Sequence, residues 1–185
     1  MKIYRVRPDV NNYQYFMLED AQLALTDMLN FDGTPKADQW VAPAVYILKP
    51  NAKKGNFPDL FSQAVLVVDE VALESLRGLL EMSGELLPLP HEDKLYHVVN
   101  VTGCFNVLDA RHTKWRYEKG RPPIDRYVFH RRRLTQTPLF KIPETCKSDI
   151  LTCEGIDDPE HEFKGRVEQL GLKGLIFEEL WNSES

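Results

Sequence analysis

Cysteine is scarce in this chain: only Cys104, Cys146 and Cys153 among 185 residues. The number is odd and no two cysteines stand in a C-x-x-C spacing, which excludes a disulfide framework and leads to the expectation of a reduced, cytoplasmic setting. Long hydrophobic runs are missing too. The longest clean one covers residues 64–68, far below the ~20 residues that cross a bilayer. No apolar region follows Met1-Lys2-Ile3-Tyr4-Arg5, so neither a secretory leader nor a membrane partner is expected. The motifs that announce chemistry are also lacking. There is no G-x-x-x-x-G-K-[ST], no G-x-G-x-x-G and no G-x-S-x-G. His91-Glu92 and His161-Glu162 lack the second histidine of H-E-x-x-H. No metal or other cofactor is expected.

What is present is ordinary globular material. Apolar residues make up 43% and charged residues 28%, which excludes disordered and fibrous classes. A chain of 185 residues is expected to be a single domain, 1–185, and can bury about two thirds of its unfolded surface without a staple. The net charge is −5 but is unevenly spread. Between Arg111 and Arg133, nine basic residues face only Glu118 and Asp125, a net +7 that leaves −12 for the rest. The densest acidic stretch is 154–162, with Glu154, Asp157, Asp158, Glu160 and Glu162.

Periodicity outlines the elements. Residues 2–6 read as an opening strand with Tyr4 and Val6 on one face. Residues 19–30 read as a helix with Ala21, Leu25, Met28 and Leu29 as its stripe. Residues 44–48 read as a short buried strand, 50–58 as a turn-rich connector and 64–68 as a core strand. Asp69 caps a second helix with Ala72, Leu76, Leu79 and Leu80 buried, ended by Gly84 as a C′ glycine. Pro88 marks 85–89 as an edge segment. Residues 95–101 and 104–108 read as a hairpin through Thr102-Gly103. Residues 120–123 read as a loop, and 126–130, 139–142 and 149–152 as short strands. Asp158-Pro159 starts a third helix with Phe163, Val167 and Leu170 buried, ended by Gly171. A last strand begins at Gly174, and 182–185 form a frayed, disordered tail. The irregular interleaving indicates α+β, a mainly antiparallel or mixed sheet with about three helices.

Candidate chemistry is thin. Cys104 could meet His97 across the expected hairpin, but 103–107 alternates like core, and a reactive thiol needs an open, activated site. Among 28 acids, sequence selects no acid–base pair. The segment 111–133 mixes Arg116, Arg121, Arg126, Arg131, Arg132 and Arg133 with Trp115, Tyr117, Tyr127 and Phe129. Those are the ingredients of nucleic-acid binding. No known module accompanies them, and the acidic total opposes nucleic acid as a partner.

A series of ordered landmarks spans residues 3–177. It runs through Ile3-Tyr4-Arg5-Val6, Trp40-Val41-Ala42-Pro43, Lys54-Gly55-Asn56-Phe57-Pro58-Asp59-Leu60 and the strand–helix unit from Val65 to Leu80. Glu85-Leu86-Leu87-Pro88-Leu89, Tyr96-His97-Val98-Val99-Asn100-Val101, Val107-Leu108-Asp109 and Leu139-Phe140-Lys141-Ile142 follow, then Gly171-Leu172-Lys173-Gly174-Leu175-Ile176-Phe177. This series resembles the bacterial immunity-protein family eleven of polymorphic toxin systems, formerly a domain of unknown function. Asn56 departs from the aspartate expected in its G-D-F-P-like element, and 111–133 departs as a block. The resemblance implies a non-enzymatic binder of a cognate toxin, encoded next to it, often a nuclease. It supplies no catalytic residues. A phosphate-binding toxin has a basic cleft, so Glu154, Asp157, Asp158, Glu160 and Glu162 are the expected contacts, with Trp115 and Trp181 as aromatic anchors and Trp40 assigned to the core. The alternatives are a nucleic-acid-binding module on 111–133 and a small enzyme using Cys104.

Overall fold

The run 64–68 is apolar at every position because its strand is covered on both sides. In a strand, successive side chains alternate between faces, so burial of all of them requires two cores. Leu66 and Val68 enter one core under a helix, while Val65 and Val67 enter another on the opposite face. The computed structural model describes residues 1–19, 29–60, 65–116, 124–134 and 136–184. In chain order these form β1 (Lys2–Pro8), β2 (Tyr15–Leu18), β3 (Val45–Leu48), β4 (Asp59–Leu60), β5 (Leu66–Val68), α1 (Glu70–Ser83), β6 (Gly84–His91) and β7 (Lys94–Val101). Then come β8 (Lys114–Trp115), β9 (Ile124–Arg126), β10 (Ile150–Glu154), α2 (Phe163–Gln169) and β11 (Leu175–Asn182).

The architecture is α+β, and mainly strands. Three sheets have three strands each, in the orders β10-β1-β11, β3-β2-β4 and β5-β7-β6; β8 and β9 form a two-stranded ribbon. All these pairings are antiparallel except β2 with β4. The expected helix over 19–30 falls largely outside the described residues, as do Arg121 and the loop expected at 120–123.

α1 forms where the stripe places it. The Asp69 carboxylate accepts from the Ala72 N–H at 2.8 Å and caps the first turn. Ala72, Leu73, Leu76, Leu79 and Leu80 are buried, and their core also takes Val99, Val101, Phe163 and Val167. The second core joins Phe16, Leu60, Leu87, Leu89 and Val98, with Trp40 packed against it. A third joins Ile3, Leu108, Tyr127, Phe129, Phe140 and Leu151.

Several expectations are corrected. The hairpin is β6–β7, turning at Glu92-Asp93, not 95–101 with 104–108. Cys104 instead makes an isolated bridge to Lys141, and Leu108 one to Phe129. Glu92 sits in the left-handed region at φ 51°, without the Asn-Gly signal that marks such turns. β3 is an edge strand with Tyr46 and Leu48 exposed, so only Val45 is buried. Gly84 ends α1 in extended backbone, not as a left-handed cap; it is glycine because an added Cβ would lie 2.0 Å from the Asn100 carbonyl oxygen. Gly171 is the true left-handed cap, at φ 67°. Asp158-Pro159 opens a 3-10 turn, Pro159–His161, and the helix begins only at Phe163; Leu170 falls just past its end and is exposed. The tail is tied down as far as Ser183, whose N–H donates to the Met1 carbonyl. Asn182 is in β11, because that strand needs its full length to pair with β1.

Candidate functional site

The acidic stretch divides into carboxylates that hold the fold and carboxylates that do not. Glu154 accepts from the Tyr4 hydroxyl at 2.7 Å and from Lys164 Nζ at 3.1 Å. Burial by itself would raise its carboxyl, but those two hydrogen bonds hold it below the usual range. Burial and the Glu154 hydrogen bond push the Tyr4 hydroxyl up in turn. Glu162 Oε1 accepts from the N–H groups of Gly155 and Ile156 at 2.7 and 3.1 Å, closing the loop ahead of α2. Asp158 caps the 3-10 turn through the Glu160 N–H and lies 3.5 Å from the His161 ring. Asp157 and Glu160 remain, both exposed, with their carboxylates unoccupied among the described residues.

The tryptophans are half-buried. Trp115 and Trp181 both pack on the third core, Trp181 with its ring 5.8 Å from Phe129. The Trp115 indole N–H donates to the Ala110 carbonyl. Trp40 is half-buried against the second core and donates to the Pro88 carbonyl at 2.8 Å. In the basic segment, Arg116 is bound to Asp125 at 2.6 Å. Arg126, Arg131, Arg132 and Arg133 are exposed, the last three in a 3-10 turn. Tyr127 and Phe129 are buried and stacked on each other, so they are closed to bases.

Cys104 and His97 are not joined by the hairpin that would have paired them. His97 lies in β7 between Val68 and Pro88. Burial raises the Cys104 thiol, the opposite of activation. Burial likewise pushes Cys153 up to about 12. Two further buried charges were invisible in the sequence. Lys141 is fully buried, and its ammonium donates to the Phe31 carbonyl. Burial pushes Lys141 down to about 8 and Asp59 up to about 6. Among the described residues no group of three histidine, cysteine or acidic side chains could hold a metal, and no helix is long and apolar enough to cross a membrane.

The remaining candidate is a surface around α1. A cleft of about 380 Å³ opens beside its first turn, within the range of ligand and side-chain pockets. Tyr15, Phe16, Ile47 and Tyr96 line it, with Phe16 edge-on to Tyr96 at 5.0 Å. Glu70, Asp93, Lys54 and Lys94 also stand at it. None of these four is ion-paired among the described residues. A second groove of about 320 Å³ lies near the other end of α1, between Gly78, Leu79, Met82 and the segment carrying Glu160, His161 and Arg166. Val71, Met82 and Leu95 are 57%, 49% and 51% exposed at these two openings. The one sequence signal for this surface was the uncharged series Val71, Ser75, Gly78 and Met82, at i, i+4, i+7 and i+11 opposite the buried stripe. No family model matches the chain, and no curated protein matches it.

Proposed function

We propose that this chain is an immunity protein that binds a cognate toxin, encoded beside it, and neutralises it in the cytoplasm by occluding its active site. The observation that carries the reading is the α1 surface. It is a rigid helix face, flanked by two unfilled clefts, with large apolar side chains in solvent and unpaired carboxylates beside them. Apolar anchors within a polar rim are what a specific protein interface needs. The ordered landmarks of the immunity-protein resemblance supply the kind of partner. The −12 balance outside 111–133 suits a nuclease-type toxin, whose phosphate-binding cleft is basic.

The experiment is co-expression of the tagged chain with the product of the adjacent reading frame. A stable one-to-one complex together with host survival supports the proposal. Survival independent of this chain, with no complex, sinks it. A second reading, nucleic-acid binding, has one observation in its favour: Arg126, Arg131, Arg132 and Arg133 are exposed and free of ion pairs among the described residues. It requires RNA or DNA affinity that falls steeply with salt.

A further inference from the structure

We infer that the toxin-facing surface is the exposed face of α1 with its two clefts, and not the 154–162 stretch or the tryptophans; this rests on the immunity reading above. The partner segment it fits is apolar at its two anchor positions and basic along its flanks.

The sequence favourites are already engaged. Glu154, Asp158 and Glu162 make hydrogen bonds within the chain, and Trp115 and Trp181 pack on the third core. Releasing them to a partner would cost the fold those interactions. On the α1 face nothing has to be released. Val71 and Met82 are exposed and eleven residues apart, roughly 16 Å along the helix at 1.5 Å per residue. Between them lies Gly78, at which an added Cβ would meet nothing within 4 Å. The chain's own packing does not need a glycine there, and the bare backbone lets a partner approach closely.

Charge decides what kind of partner. Arg77 is spent on Glu81 at 3.6 Å, and Arg166 on Gln169 at 2.6 Å. Glu70, Glu74, Asp93 and Glu160 are then left against Lys54 and Lys94, and the two lysines stand at one cleft only. A second copy of this chain would set Glu70 and Glu74 against their own kind. A basic segment would pair with them. Its two apolar anchors must be roughly 16 Å apart, about eleven residues in a helix or five in a strand.

The test uses the full chain with labelled methyl groups, titrated with an amphipathic helical peptide of leucine and arginine and with its leucine–glutamate twin. Saturable shifts at Val71, Met82 and Leu95 with the arginine peptide, and affinity at least about ten-fold weaker for the twin, are expected. Gly78→Trp should weaken the arginine peptide about ten-fold or more without lowering the melting temperature, while Gly78→Ala leaves binding intact. Met82→Lys, at an exposed position, repeats the test should the tryptophan disturb the helix. Shifts centred on 154–162 or on β11, equal binding of the twins, or full affinity in both Gly78→Trp and Met82→Lys would overturn the assignment. Co-purification separates the two ideas. A complex with the adjacent-frame product that survives both substitutions overturns this surface and leaves the immunity reading standing. Peptide binding on α1 with no complex from the unaltered chain overturns the immunity reading and leaves the surface.

Discussion

Lys141 carries a charge into a place with no water. Its folded-state value of about 8 lies below the ordinary 10.5 of a lysine, so the unfolded chain binds more protons between those limits. Stability contributed by this residue therefore rises as pH climbs from about 8 to 10.5. Below pH 8 the buried ammonium carries its full cost, up to about 3 kcal/mol at 1.36 kcal/mol per unit. Urea unfolding of the natural chain and of Lys141→Met at pH 7 and pH 10 checks this: the difference between them should shift in favour of the natural chain at the higher pH. Asp59 runs the other way. Its carboxyl is raised from 3.8 to about 6, so the folded state holds the proton longer and stability is lost as pH rises through that window. Asp59→Asn should be about 1–3 kcal/mol more stable than the natural chain at pH 7 and gain little at pH 4. A melting series across that range reads it directly. Neither residue could be singled out beforehand. The strand pattern around Lys141 was legible, but burial of its ammonium depends on the Phe31 carbonyl, 110 residues away in the chain.

The glycines of α1 show what an element tells and conceals. Both Gly78 and Gly84 are visible as interruptions of a helical pattern. Gly84→Ala should cost about 3 kcal/mol or more, since its Cβ would run into backbone at 2.0 Å, and chemical denaturation should show a large fall in midpoint. Gly78→Ala should instead stabilise by about 0.5–1 kcal/mol, the ordinary advantage of alanine inside a helix. An unchanged or lowered stability in Gly78→Ala would show that something in the chain needs the bare backbone. The stripe on α1, the Asp69 cap and the edge role of β6 were all legible, because each depends on residues close in sequence. The β6–β7 pairing was not. Its turn is made of Glu92-Asp93, which carries no turn signal, while Thr102-Gly103 does and draws the eye to the wrong strand.

Across the molecule, charge is separated between the 111–133 segment at +7 and a remainder at −12. Long-range attraction of a basic partner to the acidic remainder should set the association rate and be screened by salt, since the Debye length falls from about 10 Å at 0.1 M to 3 Å at 1 M. Stopped-flow mixing with the adjacent-frame product should show association slowing markedly over that range while dissociation changes little. An association rate indifferent to salt would remove electrostatics from the recognition mechanism.

The amino-acid sequence by itself determined the α+β class, the positions of β1, β5, β7 and α1, the capping of α1 and the uneven charge. These follow from alternation, helical period and local hydrogen bonding, which act over a few residues. Tertiary structure alone decided which carboxylates are spent and which are free. Glu154 is occupied by Tyr4 from the far end of the chain, whereas Asp157, three residues on, is not. It also decided that β5 is buried on two faces, that Tyr127 and Phe129 are core, and that two clefts flank α1. Each of these depends on contacts between segments distant in sequence, whose meeting is set by packing of the whole chain.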